Sequence, residues 1–219
     1  MPTSGTFNFN PTFDEILQDA AGMVGGGPIL ADELLSAKRG LDILMTRIQN
    51  RNVLLHKIVT TTIPCSVGQG AYTLPASILD VHTINHRINN VELTLDRESF
   101  QTWSERTSKS STGRPTTYWF DRGRDTGTIN LWPVPSQAGD LVITAQRLTE
   151  DTLRAFDNVD VPRRFIPAIT YGLAYWIGMR RPSVPADRLA ALRAEFDAAV
   201  KEGMGEDRER ASFFIKVAH

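Results

Sequence analysis

The 219-residue chain carries 24 Lys and Arg against 25 Asp and Glu, for a formal net charge of -1, and 41% of its residues are hydrophobic. That balance excludes the basic excess of a general nucleic-acid binder, and the length suits one compact domain or one domain with a large insertion. The single cysteine, Cys65, excludes an internal disulfide framework and is compatible with a reducing cytosol. No basic, then apolar, stretch opens the chain, and no apolar run reaches the roughly 20 residues a membrane helix needs. A soluble protein without a signal peptide is expected.

Residues Met1–Pro11, rich in Thr, Ser, Asn and Gly, are expected to form a loose arm. Thr12-Phe13-Asp14-Glu15 has the form of a capping box, and Phe13, Ile16, Leu17, Ala20 and Ala21 share one helical face. Gly25-Gly26-Gly27-Pro28 ends that helix. A second helix over Leu30–Arg51 follows from Leu30, Leu34, Ala37, Leu41, Leu44 and Ile48, spaced three and four apart.

From Leu54 the period changes to two, and Leu55–Thr62 reads as a β-branched strand. Further strands are expected at Ala71–Leu74, Leu79–Ile84, Val91–Leu95, Thr116–Phe120, Thr128–Trp132 and Leu141–Arg147, with a short helix at Arg97–Arg106. Turn signals at Gly68-Gln69-Gly70, Asn89-Asn90 and Ser136–Gly139 separate them, and Arg122–Gly127 reads as a hairpin loop.

Helical pattern returns at Val161-Pro162, runs through Phe165, Ile169, Leu173, Trp176 and Ile177, breaks at Pro182 and Pro185, and resumes over Ala186–Gly203. A charged run, Glu206–Arg210, leads to Ser212-Phe213-Phe214-Ile215-Lys216-Val217-Ala218-His219. The expected architecture is α+β. A four-helix platform, two helices from each end of the chain, carries an inserted small antiparallel β-sandwich or barrel and an extended C-terminal tail. The corresponding boundaries are 1–53, 54–150, 151–204 and 205–219.

Residues for chemistry are sparse. No GxxxxGK[ST] loop occurs and no GxGxxG follows a strand. Gly25-Gly26-Gly27 could cradle an anion, but a helix-ending linker is the better reading. On a regular strand Asp80, His82 and His86 would share a face as a weak metal site, with surface polarity as the alternative. Cys65 lacks a sequence-evident base, so a half-buried residue is expected rather than a nucleophile. No catalytic, cofactor-binding or metal-binding residue is assigned, and no enzyme activity or cofactor is expected.

Two features point to partners instead. Arg122 and Arg124 lie at a hairpin tip with Trp119 just before them, and Asp121 and Asp125 offset the arginines; a protein interface or plain loop suits them better than phosphate contact. Phe213, Phe214, Ile215 and Val217 would make an unusual exposed patch. They are expected to be buried, by a partner or by the chain's own core.

The order of several motifs resembles the head-to-tail adaptor proteins of tailed bacteriophages, short-tailed type. The motifs are Thr6–Pro11 before a capped helix, Tyr72-Thr73-Leu74-Pro75, Gly113–Tyr118, Leu131–Pro135 with Gly139-Asp140-Leu141, and Val161–Phe165. The second helix lacks the tryptophan that relatives often carry near its end. The resemblance implies a structural virion protein, made in the bacterial cytoplasm, that forms a ring, typically dodecameric, at the head–tail junction. Such a ring joins the portal protein to a tail nozzle or tail tube and extends the DNA channel, with dsDNA passing without sequence-specific binding and no membrane contact. It further implies portal contact by Phe213, Phe214, Ile215 and Val217, and a tail or subunit interface at Trp119, Arg122 and Arg124. The competing reading is a ligand-binding β module of a tail accessory protein, which requires Trp103, Trp119 and Trp132 to converge on a concave pocket.

Overall fold

The first described helix, α1 (Phe13–Met23), starts where the capping box places it. The Thr12 hydroxyl accepts from the Glu15 N–H and the Glu15 carboxylate accepts from the Thr12 N–H at 2.8 Å. The next two N–H groups donate to the carbonyls of Asp157 and Ala155, each at 2.9 Å, so the open helix end is satisfied by a distant loop. A computed structural model describes residues 9–27, 29, 31–51, 55–152 and 154–206. The arm residues 1–8 and the tail residues Phe213, Phe214, Ile215 and Val217 lie outside the described residues.

The chain forms two units, one from residues up to His56 and from Thr149 on, the other from Lys57–Leu148. In the first, α1 is joined by α2 (Ala31–Gln49), α4 (Ile166–Gly178) and α5 (Ala186–Glu206). Their apolar stripes meet in a single cluster that includes Phe13, Leu17, Leu41, Ile48, Phe165, Ile169, Leu173 and Phe196. α4 has few polar positions because it is buried on most sides, from Ile166 and Ala168 to Ile177. A Cβ at Gly40 would lie 2.6 Å from the Trp176 indole, whose N–H donates to the Ser36 carbonyl at 3.1 Å, so α2 and α4 approach closely there. Pro162 caps a short 3-10 turn rather than opening the helix; the proline in the first turn of α4 is Pro167. No helix among the described residues is long and apolar enough to cross a membrane.

The second unit holds β1 (Ile58–Cys65), β2 (Ala71–Thr73), β3 (Ile78–Ile88), β4 (Val91–Arg97), the short α3 (Phe100–Glu105), β5 (Thr112–Gly113), β6 (Thr117–Arg122), β7 (Gly127–Trp132), β8 (Val134–Pro135) and β9 (Gly139–Arg147). Seven strands make one curled sheet in the order β1-β9-β3-β4-β6-β7-β2, while β5 and β8 pair separately. The expected antiparallel sandwich or barrel is therefore replaced by a mixed sheet, because β4 and β6 run parallel. The chain between them crosses over through α3 instead of turning tightly, and such a crossover returns the next strand in the same direction. Asn89 and Asn90, both at positive φ, make the tight β3–β4 turn.

β3 also departs from a simple alternation. Its register against β9 shifts between Ile78 and Asp80 and again between Val81 and Thr83. These irregularities change which side each residue faces, and the buried positions become Ile78, Val81, Ile84 and His86. The core inside the curl comprises these apolar residues with Tyr72, Leu95, Tyr118, Phe120, Ile129, Leu131, Leu141 and Ile143.

Candidate interaction surface

β6 alternates strictly. Tyr118 and Phe120 point into the core, and Trp119 points out. α3 lies over that outer face, its N-terminus capped by the Ser99 hydroxyl, which accepts from the Thr102 N–H at 3.1 Å. The helix thereby sets Trp103 against Trp119, ring centres 5.9 Å apart and nearly parallel at 25°, and Phe100 against the same indole at 5.6 Å and 52°. Phe100 is 67% exposed, so the group forms an aromatic ledge with one open edge.

Beside the ledge, Asp80 gathers two arginines. Arg97 donates to its carboxylate at 2.9 Å and to the Val81 carbonyl at 2.9 Å, and Arg122 reaches the other carboxylate oxygen. Burial pushes the Asp80 carboxyl up, but the bonds from Arg97, the Val81 N–H and Arg122 outweigh it and hold it below the usual carboxylate range. The network thus contributes stability above the ordinary carboxylate pKa, and that contribution is lost as pH falls through the lowered value.

Across the same outer face, Trp132 lies beneath the Arg106 guanidinium, 3.6 Å from its ring centre. Arg106 also forms a two-pronged ion pair with Glu98, one contact being 2.9 Å from Nε. The hydrogen bonds from Arg106, against the opposing effect of burial, lower the Glu98 carboxyl below its ordinary value. The Trp132 N–H donates to the Ser108 carbonyl at 3.0 Å, pinning the Ser-rich loop.

Of the residues singled out from sequence, Trp119 and Arg122 are brought to the ledge and its charged border. Arg124 is not; its side chain is 94% exposed, 3.9 Å from Asp125. Asp80, His82 and His86 do not gather. The β3 irregularities send His86 into the core and leave Asp80 with the arginines, and among the described residues no group of three His, Cys, Asp or Glu could hold a metal ion. Cys65 is 2% exposed rather than half-buried; burial raises its thiol pKa, and the Tyr72 hydroxyl donates to its sulfur at 3.6 Å. That setting favours the thiol over the nucleophilic thiolate. Gly26 offers its carbonyl outward to Arg181 at 2.9 Å, and Arg181 is itself paired with Glu33 at 2.7 Å, so the glycine run is a pinned helix end.

Trp103 and Trp119 use their faces on each other and Trp132 is covered by Arg106, so the three tryptophans do not line a shared concavity. The sequence points to Trp132 only as part of a three-tryptophan pocket, and it points to no site at Arg97, Glu98 or Arg106. The only available signal was the run of charge around a short helix, Arg97, Glu98, Glu105 and Arg106.

A helical unit, an inserted curled sheet and an aromatic, arginine-bordered ledge define an α+β protein with an exposed aromatic surface. Comparison with known families makes this specific: the SU10 adaptor protein family matches residues 11–214. The chain belongs to that family of bacteriophage head-to-tail adaptors of the short-tailed type. No individual curated protein matches it significantly.

Proposed function

We propose that copies of this protein form a ring, dodecameric by analogy with the family, that joins the capsid portal to the tail and extends the DNA channel. The family match across residues 11–214 carries this reading. In it, the α1, α2, α4 and α5 unit serves as the platform, a role that suits its single shared core. The ledge of Phe100, Trp103 and Trp119, bordered by Arg97 and Arg122, takes the tail nozzle or tail tube protein, and the exposed Arg124 lies on the same hairpin as Arg122. Aromatic and arginine side chains in such a setting are the residue types that dominate protein interfaces. DNA passes without sequence-specific contact, in keeping with a net charge of -1.

The bridging role is testable in solution. Portal rings mixed with this protein are expected to recruit the nozzle protein, whereas portal rings alone are not. Trp119→Ala with Arg122→Ala is expected to weaken nozzle recruitment at least tenfold, about 1.4 kcal/mol, while leaving the portal step unchanged. Equal recruitment by both proteins would remove the ledge from the interface, and recruitment by bare portal rings would contradict the bridging role.

A further inference from the structure

The sheet of the β unit ends very differently at its two edges. At one edge stands β2, only three residues long. At the other stands β1, eight residues, Ile58-Val59-Thr60-Thr61-Thr62-Ile63-Pro64-Cys65, without a single charge. Among the described residues β1 pairs with β9 alone, from Ile58 opposite Gln146 to Cys65 opposite Gly139. Its second row of backbone N–H and C=O groups, interrupted only at Pro64, has no strand beside it among the described residues. Proteins usually blunt such edges by shortness, lysines, prolines or bulges. β2 is blunted by its length, whereas β1 carries only Pro64, near one end, and leaves Ile58–Ile63 without such a device.

The side chains of β1 carry a second mark of an unfinished sheet. Val59 and Ile63 face the core cluster, yet both are only half-buried, whereas Leu141 and Ile143 on the neighbouring strand β9 are fully buried. A strand added along β1 would cover Val59, Thr61 and Ile63 from the open side while satisfying the free backbone row. The added segment must be uncharged or nearly so, β-prone, and apolar at alternate positions.

The same chain contains such a segment. Helix α5 ends at Glu206 among the described residues, and thirteen residues follow it in the sequence. In Ser212-Phe213-Phe214-Ile215-Lys216-Val217, strand periodicity would place Phe213, Ile215 and Val217 on one face and Phe214 and Lys216 on the other. We infer that this segment of one copy adds as a strand to the β1 edge of a second copy, with Phe213, Ile215 and Val217 turned toward Val59 and Ile63. The inference rests on the ring reading, in which each contact is head to tail and each copy must offer one donor and one acceptor. The C-terminal segment and the β1 edge are such a pair. The tail thereby acts as a clamp between subunits, in place of the portal contact that the family resemblance implies for it.

A photo-crosslinking phenylalanine analogue at position 214 of the full-length chain tests this. Isotope-labelled and unlabelled copies are mixed, assembled on portal rings, checked by electron microscopy, irradiated, and mapped by mass spectrometry. Crosslinks from position 214 to Ile58–Cys65 that join a labelled to an unlabelled copy are the expected result. Rings whose position 214 links to the portal, or only to its own chain, would overturn the clamp and leave the ring standing. Failure to form rings would overturn the adaptor reading and the clamp with it.

Discussion

Phe196→Ala is expected to lower the stability of the helical unit by about 3–5 kcal/mol. Phe196 sits on α5 at 2% exposure, inside the cluster that joins the four long helices. Its ring presses on α4 at Gly172, where an added Cβ would lie 2.9 Å from it. No side chain at position 172 can move into the space an alanine would leave, so the cavity stays open and its cost adds to the lost burial. Urea unfolding followed by far-ultraviolet circular dichroism measures the effect. A loss below about 1 kcal/mol would show that α5 is not held by this contact.

His86→Leu is expected to stabilise the β unit and to flatten its response to acid. His86 is fully buried, and among the described residues both of its ring nitrogens lack a hydrogen-bond partner. A polar group buried in this way costs about 1–3 kcal/mol, which an apolar side chain of similar size removes. Burial lowers the imidazole pKa, and the nearby Arg114 guanidinium, which donates to the His86 carbonyl at 3.5 Å, lowers it further. The sign follows from proton binding: below the ordinary imidazole pKa of about 6.5 the unfolded chain takes up a proton that the folded unit resists. The wild-type unit therefore loses stability as pH falls below about 6.5, by about 1.4 kcal/mol for each unit over which only the unfolded chain is protonated. Thermal unfolding at pH 7.5 and pH 5 compares the two proteins. An unchanged acid slope in the variant would show that His86 is not the group responsible.

The helices were legible because their signals are local. Thr12 and Glu15 cap α1 as their spacing requires, and the stripe Ala37, Leu41, Leu44 and Ile48 packs as its period requires. Most strands were legible for the same reason. The sheet order was not, since the parallel pairing of β4 with β6 depends on where the chain returns after α3. The site shows the same division. Trp119 and Arg122 stand out as an aromatic and a cation at a hairpin, and the structure gathers them. Counting in twos along β3 groups Asp80 with His82 and His86, and two register shifts defeat that count. Arg106 over Trp132 joins residues 26 positions apart with no periodicity to announce it.

Electron microscopy of portal rings mixed with this protein tests the adaptor role most directly. A ring of copies of this chain on the tail-facing side of the portal, coaxial with its channel and leaving that channel open, is the predicted result. Portal rings that remain bare at saturating protein, or copies bound at scattered positions without a closed ring, would contradict it.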